Sequence, residues 1–128
     1  MPNDLYISPS SISHAGRGVF AGKEYNEGDL IEECVMIVFS EPSIPHIDKT
    51  ELAQYYYEWG DDHKKGAIAL GFGSIYNHSY ESNAMFVQDF IKNVINIIAI
   101  TTIPKNTEIT TNYNGDPIDK TPLWEGAL

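Results

Sequence analysis

Three short stretches carry residue types able to hold a charged ligand or steer a reaction. Gly16-Arg17-Gly18 sets two glycines around one arginine. Glycine lets a backbone approach a ligand closely and a guanidinium suits a carboxylate, yet the same triplet also serves as a plain turn before a strand. Asn77-His78-Ser79 follows directly on the glycine-rich, apolar run Gly71-Phe72-Gly73-Ser74-Ile75-Tyr76. Its donors could hold a polar cofactor, or could close a hydrogen-bonded turn with His78 satisfied structurally. Tyr113 ends the run Glu108-Ile109-Thr110-Thr111-Asn112-Tyr113, just before Asn114-Gly115. Its phenol stands at the lip of a pocket or packs at a strand end.

Other chemistries find little support. There is no G-x-S-x-G elbow, and His14, His46, His63 and His78 show no H-x-x-x-H spacing. A hydrolase would have to use His78 as base with a serine such as Ser79. Asp61-Asp62-His63 reads more simply as a solvated loop than as a cation site, so no metal is expected. The single cysteine, Cys34, lies in the apolar run Leu30 to Phe39 and reads as a packing residue; it leaves no disulfide framework and no cysteine cluster for zinc.

The elements that must position these residues are short strands punctuated by glycine, proline and asparagine, which predicts a mainly β domain. Gly18 to Gly22 reads as a first strand, and Tyr25-Asn26-Glu27-Gly28-Asp29 turns the chain into the long strand Leu30 to Phe39. Asp48-Lys49-Thr50-Glu51 has the form of a capping box, and Leu52, Tyr55, Tyr56 and Trp59 recur at helical spacing, so one helix is expected, ending at Gly60. Val94 to Ile103 reads as the second strong strand. Pro104-Lys105-Asn106 would fold it back on Glu108 to Tyr113 as a hairpin.

A chain of 128 residues can take about two thirds of its unfolded surface out of water, so one real core is expected. Eighteen acidic against eight basic side chains give a formal charge of −10. That charge repels nucleic acid and anionic membrane and attracts a lysine-rich polypeptide. No apolar run approaches the ~20 residues that span a bilayer, and Met1-Pro2-Asn3-Asp4 opens no leader pattern. A cytoplasmic protein is therefore expected.

Taken in order, these pieces resemble the SET-domain lysine methyltransferases. Gly16-Arg17-Gly18-Val19-Phe20-Ala21 resembles the family's opening G-x-G-V/Y-F/A segment, and Glu27 to Glu33 its E-x-G-E-x-I/V-x-E stretch. Ala69 to Ser79, with Asn83-Ala84 after it, is similar to the N-H-S/C-x-x-P-N core, and Glu108 to Tyr113 to the E-L/I-x-x-D-Y signature. The likeness covers about residues 5 to 116 and is strongest to the minimal members of large DNA viruses and bacteria. It implies a SET (β-clip) fold of small curved sheets with a C-terminal pseudoknot. Residues 1–128 would form one domain with a short tail from about 117 to 128.

The resemblance also implies a reaction: transfer of a methyl group from S-adenosylmethionine to a protein lysine, with S-adenosylhomocysteine as product and no metal. By it, Gly16, Arg17, Gly18, Asn77 and His78 would hold the cofactor, and Tyr113 would be the principal catalytic phenol. Tyr55, Tyr76 and Tyr113 would line the lysine channel; Tyr55, a second catalytic candidate, would stand on the expected helix, with Tyr56 and Tyr57 as its register alternatives. Trp124 is the candidate lid, on the cofactor side, since the family's aromatic or zinc-bound closing segment is missing after Asn114-Gly115-Asp116. The chain departs from the family in carrying Asn112 and Asn114 around Tyr113, where Asp and Gly are usual. The implied substrate is a histone or another basic chromosomal protein, with no direct nucleic-acid or membrane contact and a homodimer allowed. A viral protein or secreted effector would then work in the host nucleus, on chromatin. The alternative is a catalytically weak SET-fold module that binds basic peptides.

Overall fold

Nine strands and very little helix make up the described residues, 4–12 and 15–123, of the computed structural model. In chain order the strands are β1 (Leu5–Pro9), β2 (Arg17–Ala21), β3 (Leu30–Phe39), β4 (Tyr56–Trp59), β5 (Lys65–Ala69), β6 (Asn77–His78), β7 (Ala84–Asp89), β8 (Val94–Ala99) and β9 (Glu108–Thr111). They form a four-stranded sheet, order β1-β2-β9-β6, and a five-stranded sheet, order β4-β5-β3-β8-β7. This is the mainly β architecture of small sheets that the turn residues and β-branched runs require.

Alternation builds two neighbouring cores. Val19, Ile31, Tyr76, Ile97, Ile103 and Ile109 bury their side chains in one, and Cys34, Met36, Trp59, Ala67, Ala69 and Ile95 in the other. Trp59 is 1% exposed, sets its ring edge against Phe90 and donates Nε1–H to Asn93 Oδ1 at 3.0 Å, so its polar tip is satisfied where its bulk is buried. Cys34 is 2% exposed, and burial with Glu32 beside it pushes its thiol pKa far up. Gly73 passes so close to this core that a Cβ there would sit 2.5 Å from Ala69 Cβ and 2.8 Å from Cys34 Sγ.

Two expected elements are corrected. The helix over Asp48 to Gly60 does not form; a 3-10 turn (Glu41–Ser43) and a four-residue α1 (Ile44–Ile47) come before that stretch, and within it a second 3-10 turn (Glu51–Gln54) leads into β4. The cap of that turn is Thr50, whose hydroxyl accepts from Leu52 N–H, while Asp48 accepts from the Tyr56 hydroxyl at 2.8 Å. The aromatic run 56–59 gains more from pairing antiparallel with β5 and burying Trp59 than a lone amphipathic helix would offer. The hairpin of β8 with β9 is absent too: β8 lies between β3 and β7, and β9 crosses to the other sheet. The Pro104-Lys105-Asn106 turn is present, with Thr107 N–H on Pro104 O, but Asn106 N–H bonds Ala21 O and so steers the chain toward β2.

Candidate active site

β9 is the strand that assembles the site. It pairs antiparallel with β2 (Val19 opposite Ile109) and parallel with β6 (Asn77 opposite Thr110, His78 opposite Thr111). Three stretches far apart in sequence, Gly16-Arg17-Gly18, Asn77-His78 and the approach to Tyr113, thereby become neighbours. Just past β9, Tyr113 donates its backbone N–H to His78 Nδ1 at 3.0 Å and its hydroxyl to the Tyr76 carbonyl at 2.7 Å.

Those two bonds decide protonation states. Nδ1 of His78 is an acceptor, so the neutral ring carries its proton on Nε2, a buried atom with no partner among the described residues. Burial lowers the imidazole pKa and keeps the ring neutral at pH 7. The Tyr113 phenol is pushed up to about 12, first by burial, then by the Tyr55 phenol and the Glu108 carboxylate. It therefore stays protonated at neutral pH and cannot serve as a proton acceptor there.

Tyr113 stands in a groove of about 720 Å³ whose inner wall includes Tyr55, Tyr57, Tyr76, Phe86 and Ser74. Asp48 and Glu58 bring carboxylates to its lining, with Gln88 and His63 beside them. The three tyrosines named from sequence, Tyr55, Tyr76 and Tyr113, thus share one cavity. Tyr55 is not on a helix; it is the half-exposed turn residue before β4. Tyr76 gives the site its carbonyl, because its own hydroxyl is spent on Glu32 Oε1 at 2.8 Å. Tyr57, a register alternative to Tyr55, and Phe86, to which the sequence gave no role, meet edge to face at 5.0 Å, and the Tyr57 hydroxyl donates to Gly73 O at 2.7 Å. The i, i+2 alternation of Tyr55, Tyr57 and Trp59 was the available signal.

Gly16, Arg17, Gly18, Asn77 and His78 do not line that groove; they connect to it through Tyr113. Gly16 has φ +75° with open space where a Cβ would be, so a ligand can reach its backbone. Arg17 is exposed, and its carbonyl accepts from Asn77 Nδ2 at 2.8 Å. Asn77 spends its second Nδ2 hydrogen on Glu108 Oε2, also at 2.8 Å, which leaves Oδ1 as the acceptor it can offer. Gly18 is buried against Glu108 and Asn77. An open glycine backbone, an exposed guanidinium, an amide oxygen and a buried imidazole N–H fit a zwitterionic, heteroaromatic cofactor such as S-adenosylmethionine.

The two asparagines around Tyr113 hold the C-terminal segment in place. Asn112, 1% exposed, donates Nδ2 to Asp119 O at 2.7 Å, and Asn114 donates to Thr121 O at 2.8 Å. Tyr80 adds its hydroxyl to Thr121 O, and Lys120 Nζ returns a bond to Tyr80 O at 2.7 Å. The tail is thus strapped beside Tyr80, whose ring packs edge-on at 4.5 Å from His78. Trp124, the candidate lid, lies outside the described residues. Among the described residues no cluster of three or more His, Cys, Asp or Glu side chains is gathered as for a metal, and no helix is long and apolar enough to cross a membrane.

Comparison with known proteins agrees with this geometry. The SET-domain family model matches residues 16–114. The histone-lysine N-methyltransferase, H3 lysine-37 specific, of Schizosaccharomyces pombe is 32% identical over 99 residues, covering 77% of this chain; the chain spans 66% of that relative's length. A crystal structure from Plasmodium falciparum described as a histone methyltransferase is 29% identical with a TM-score of 0.68, over 86% of this chain and 92% of that one. Polycomb Repressive Complex 2 of Chaetomium thermophilum, in a structure bound to S-adenosylmethionine, shares the fold at 17% identity and a TM-score of 0.72, over 85% of this chain and 15% of that one. With the family's segments in order and its strands around one tyrosine, the chain belongs to the SET-domain family.

Proposed function

We propose that this chain is an S-adenosylmethionine-dependent protein-lysine N-methyltransferase acting on a histone or another basic chromosomal protein. The observation that carries the reading is the double tie of Tyr113 to Tyr76 O and His78 Nδ1, which sets the phenol between the Asn77-His78 strand and the tyrosine-lined groove. The S. pombe relative is named as H3 lysine-37 specific, and a charge of −10 with Asp48 and Glu58 in the groove suits a lysine-rich partner. Work on chromatin is part of the same proposal.

The cofactor would supply an electrophilic methyl group on a sulfonium. Arg17 would pair with its carboxylate, Asn77 Oδ1 would accept from its ammonium, and the Gly16 backbone and His78 would flank the remainder. In the groove, aromatic walls suit an aliphatic lysine stem. The single Tyr113 proton is committed to Tyr76 O, so toward a neutral lysine amine the phenolic oxygen can only accept. An amine donating there turns its lone pair away from the phenol, and this orientation is the chain's main contribution to an in-line displacement.

Incubating the protein with methyl-labelled cofactor and histone H3 tests the reading. Label should appear on lysine, and Tyr113→Phe should lower kcat by about 100- to 1000-fold while the protein stays folded. Cofactor that fails to bind in a calorimetric titration refutes the reading. Peptide binding without transfer would establish the weak-module alternative.

A further inference from the structure

The inner phenols of the groove do not hold themselves. Tyr57 donates to Gly73 O and Tyr113 to Tyr76 O, both at 2.7 Å, and both acceptors belong to one loop, residues 70–76. That loop lies between β5 and β6 and belongs to no strand. Glu32, reaching from β3, ties it down. Its Oε1 accepts the Tyr76 hydroxyl at 2.8 Å, and its Oε2 accepts the Phe72 N–H at 3.0 Å. Phe72 is next to Gly73, and Tyr76 carries the second carbonyl itself, so one carboxylate fixes the loop at both points where the phenols are held.

A carboxylate is suited to this place because it only accepts and has two oxygens to do so. Building on the methyltransferase reading, we propose that Glu32 is a positioning residue for methyl transfer, holding loop 70–76 so that its Gly73 and Tyr76 carbonyls aim the Tyr57 and Tyr113 hydroxyls. Glu32 touches neither substrate nor cofactor in this scheme. It acts through the loop.

The test compares Glu32→Gln, Tyr76→Phe and the double variant with the parent. A glutamine that keeps its Oε1 on the Phe72 N–H can only donate its amide to the Tyr76 oxygen, which leaves the buried Tyr76 proton without its acceptor and shifts the loop. A displacement of about 1 Å should lower kcat about 100-fold while leaving the peptide KM within about threefold. Tyr76→Phe, which cuts only one tie, should cost about tenfold. The double variant removes the orphaned Tyr76 proton and should return to the Tyr76→Phe level, a rescue that general destabilisation would not produce.

Ring signals of labelled tyrosines give a readout apart from activity. Those of Tyr57 and Tyr113 should shift in both single variants while Tyr6, on β1 and stacked against Phe20, stays put. Unmoved Tyr57 and Tyr113 signals overturn the proposal, as does a double variant no better than Glu32→Gln. Should Glu32→Gln not fold, Tyr76→Phe decides alone: an unchanged kcat and an unmoved Tyr113 signal refute it. If the parent transfers no methyl, the functional reading falls and the ring signals still decide the role of Glu32.

Discussion

Replacing Asn112 with the family's usual aspartate should damage this chain. Asn112 is 1% exposed, with Nδ2 donating to Asp119 O at 2.7 Å and Oδ1 accepting the Asn114 N–H at 2.9 Å. Asn112→Asp keeps the size and the acceptor but turns a carboxyl oxygen toward a carbonyl oxygen. If the new carboxyl keeps its proton, the donor survives; if it ionises, a buried charge faces Asp119 O. Its folded pKa must therefore rise above the unfolded value of about 3.9, and the native state then binds more protons than the unfolded chain. Stability accordingly falls as pH rises from the unfolded pKa through the folded one. Holding the proton at pH 5, about one unit above the unfolded pKa, costs about 1.5 kcal/mol, and a buried uncompensated charge about 3–5 kcal/mol. We expect a deficit near the first figure at pH 5 and within the second at pH 8, read from urea unfolding by tryptophan fluorescence. Asn112→Ala should show a loss that does not vary with pH. An Asn112→Asp deficit below about 0.5 kcal/mol at pH 8, or one equal at both pH values, refutes the argument.

Other parts of the structure set three further outcomes. The depressed His78 pKa means that the unfolded chain takes up more protons below about pH 6.5, so the stability His78 contributes is complete above that pH and lost below it; in His78→Gln the fall in urea midpoint between pH 7.5 and 5.5 should be smaller. Arg17→Ala should weaken S-adenosylmethionine binding about tenfold by calorimetry, as loss of a charge-assisted bond requires, with an unchanged melting temperature because Arg17 is exposed. Gly73→Ala, whose methyl would press on Ala69 and Cys34, should cost about 1–3 kcal/mol in a denaturant melt.

The sequence marked the strands by their own residues and failed where the partner decides. Leu30 to Phe39 is a strand at those limits because its apolar run is flanked by turn residues. Leu52, Tyr55, Tyr56 and Trp59 fit a helical stripe equally well as fragments of a strand, and only the distant β5 chooses between them. β7 went unread although its hairpin to β8 carries a local mark: Asp89 Oδ1 accepts from Ile91 and Lys92 N–H, and Asn93 has φ 54°. At the site, Tyr113, Asn77 and His78 were legible as a resemblance, whereas the parallel pairing of β6 with β9 that unites them is non-local and leaves no trace in either short segment. Glu32 was legible only as part of the Glu27 to Glu33 segment and Tyr57 only as a register alternative to Tyr55, because their partners lie in a loop about forty and sixteen residues away.

The deep placement of Cys34 has a practical consequence. Alkylating and maleimide reagents attack thiolate, and a lone thiol that is 2% exposed and held protonated offers them almost none. Toward such reagents the folded protein behaves as though it had no cysteine. A single cysteine introduced at an outer position, such as Lys92 at the β7–β8 turn, would then take a fluorophore at that one point, and Cys34 itself would report on unfolding by becoming modifiable only when the five-stranded sheet opens.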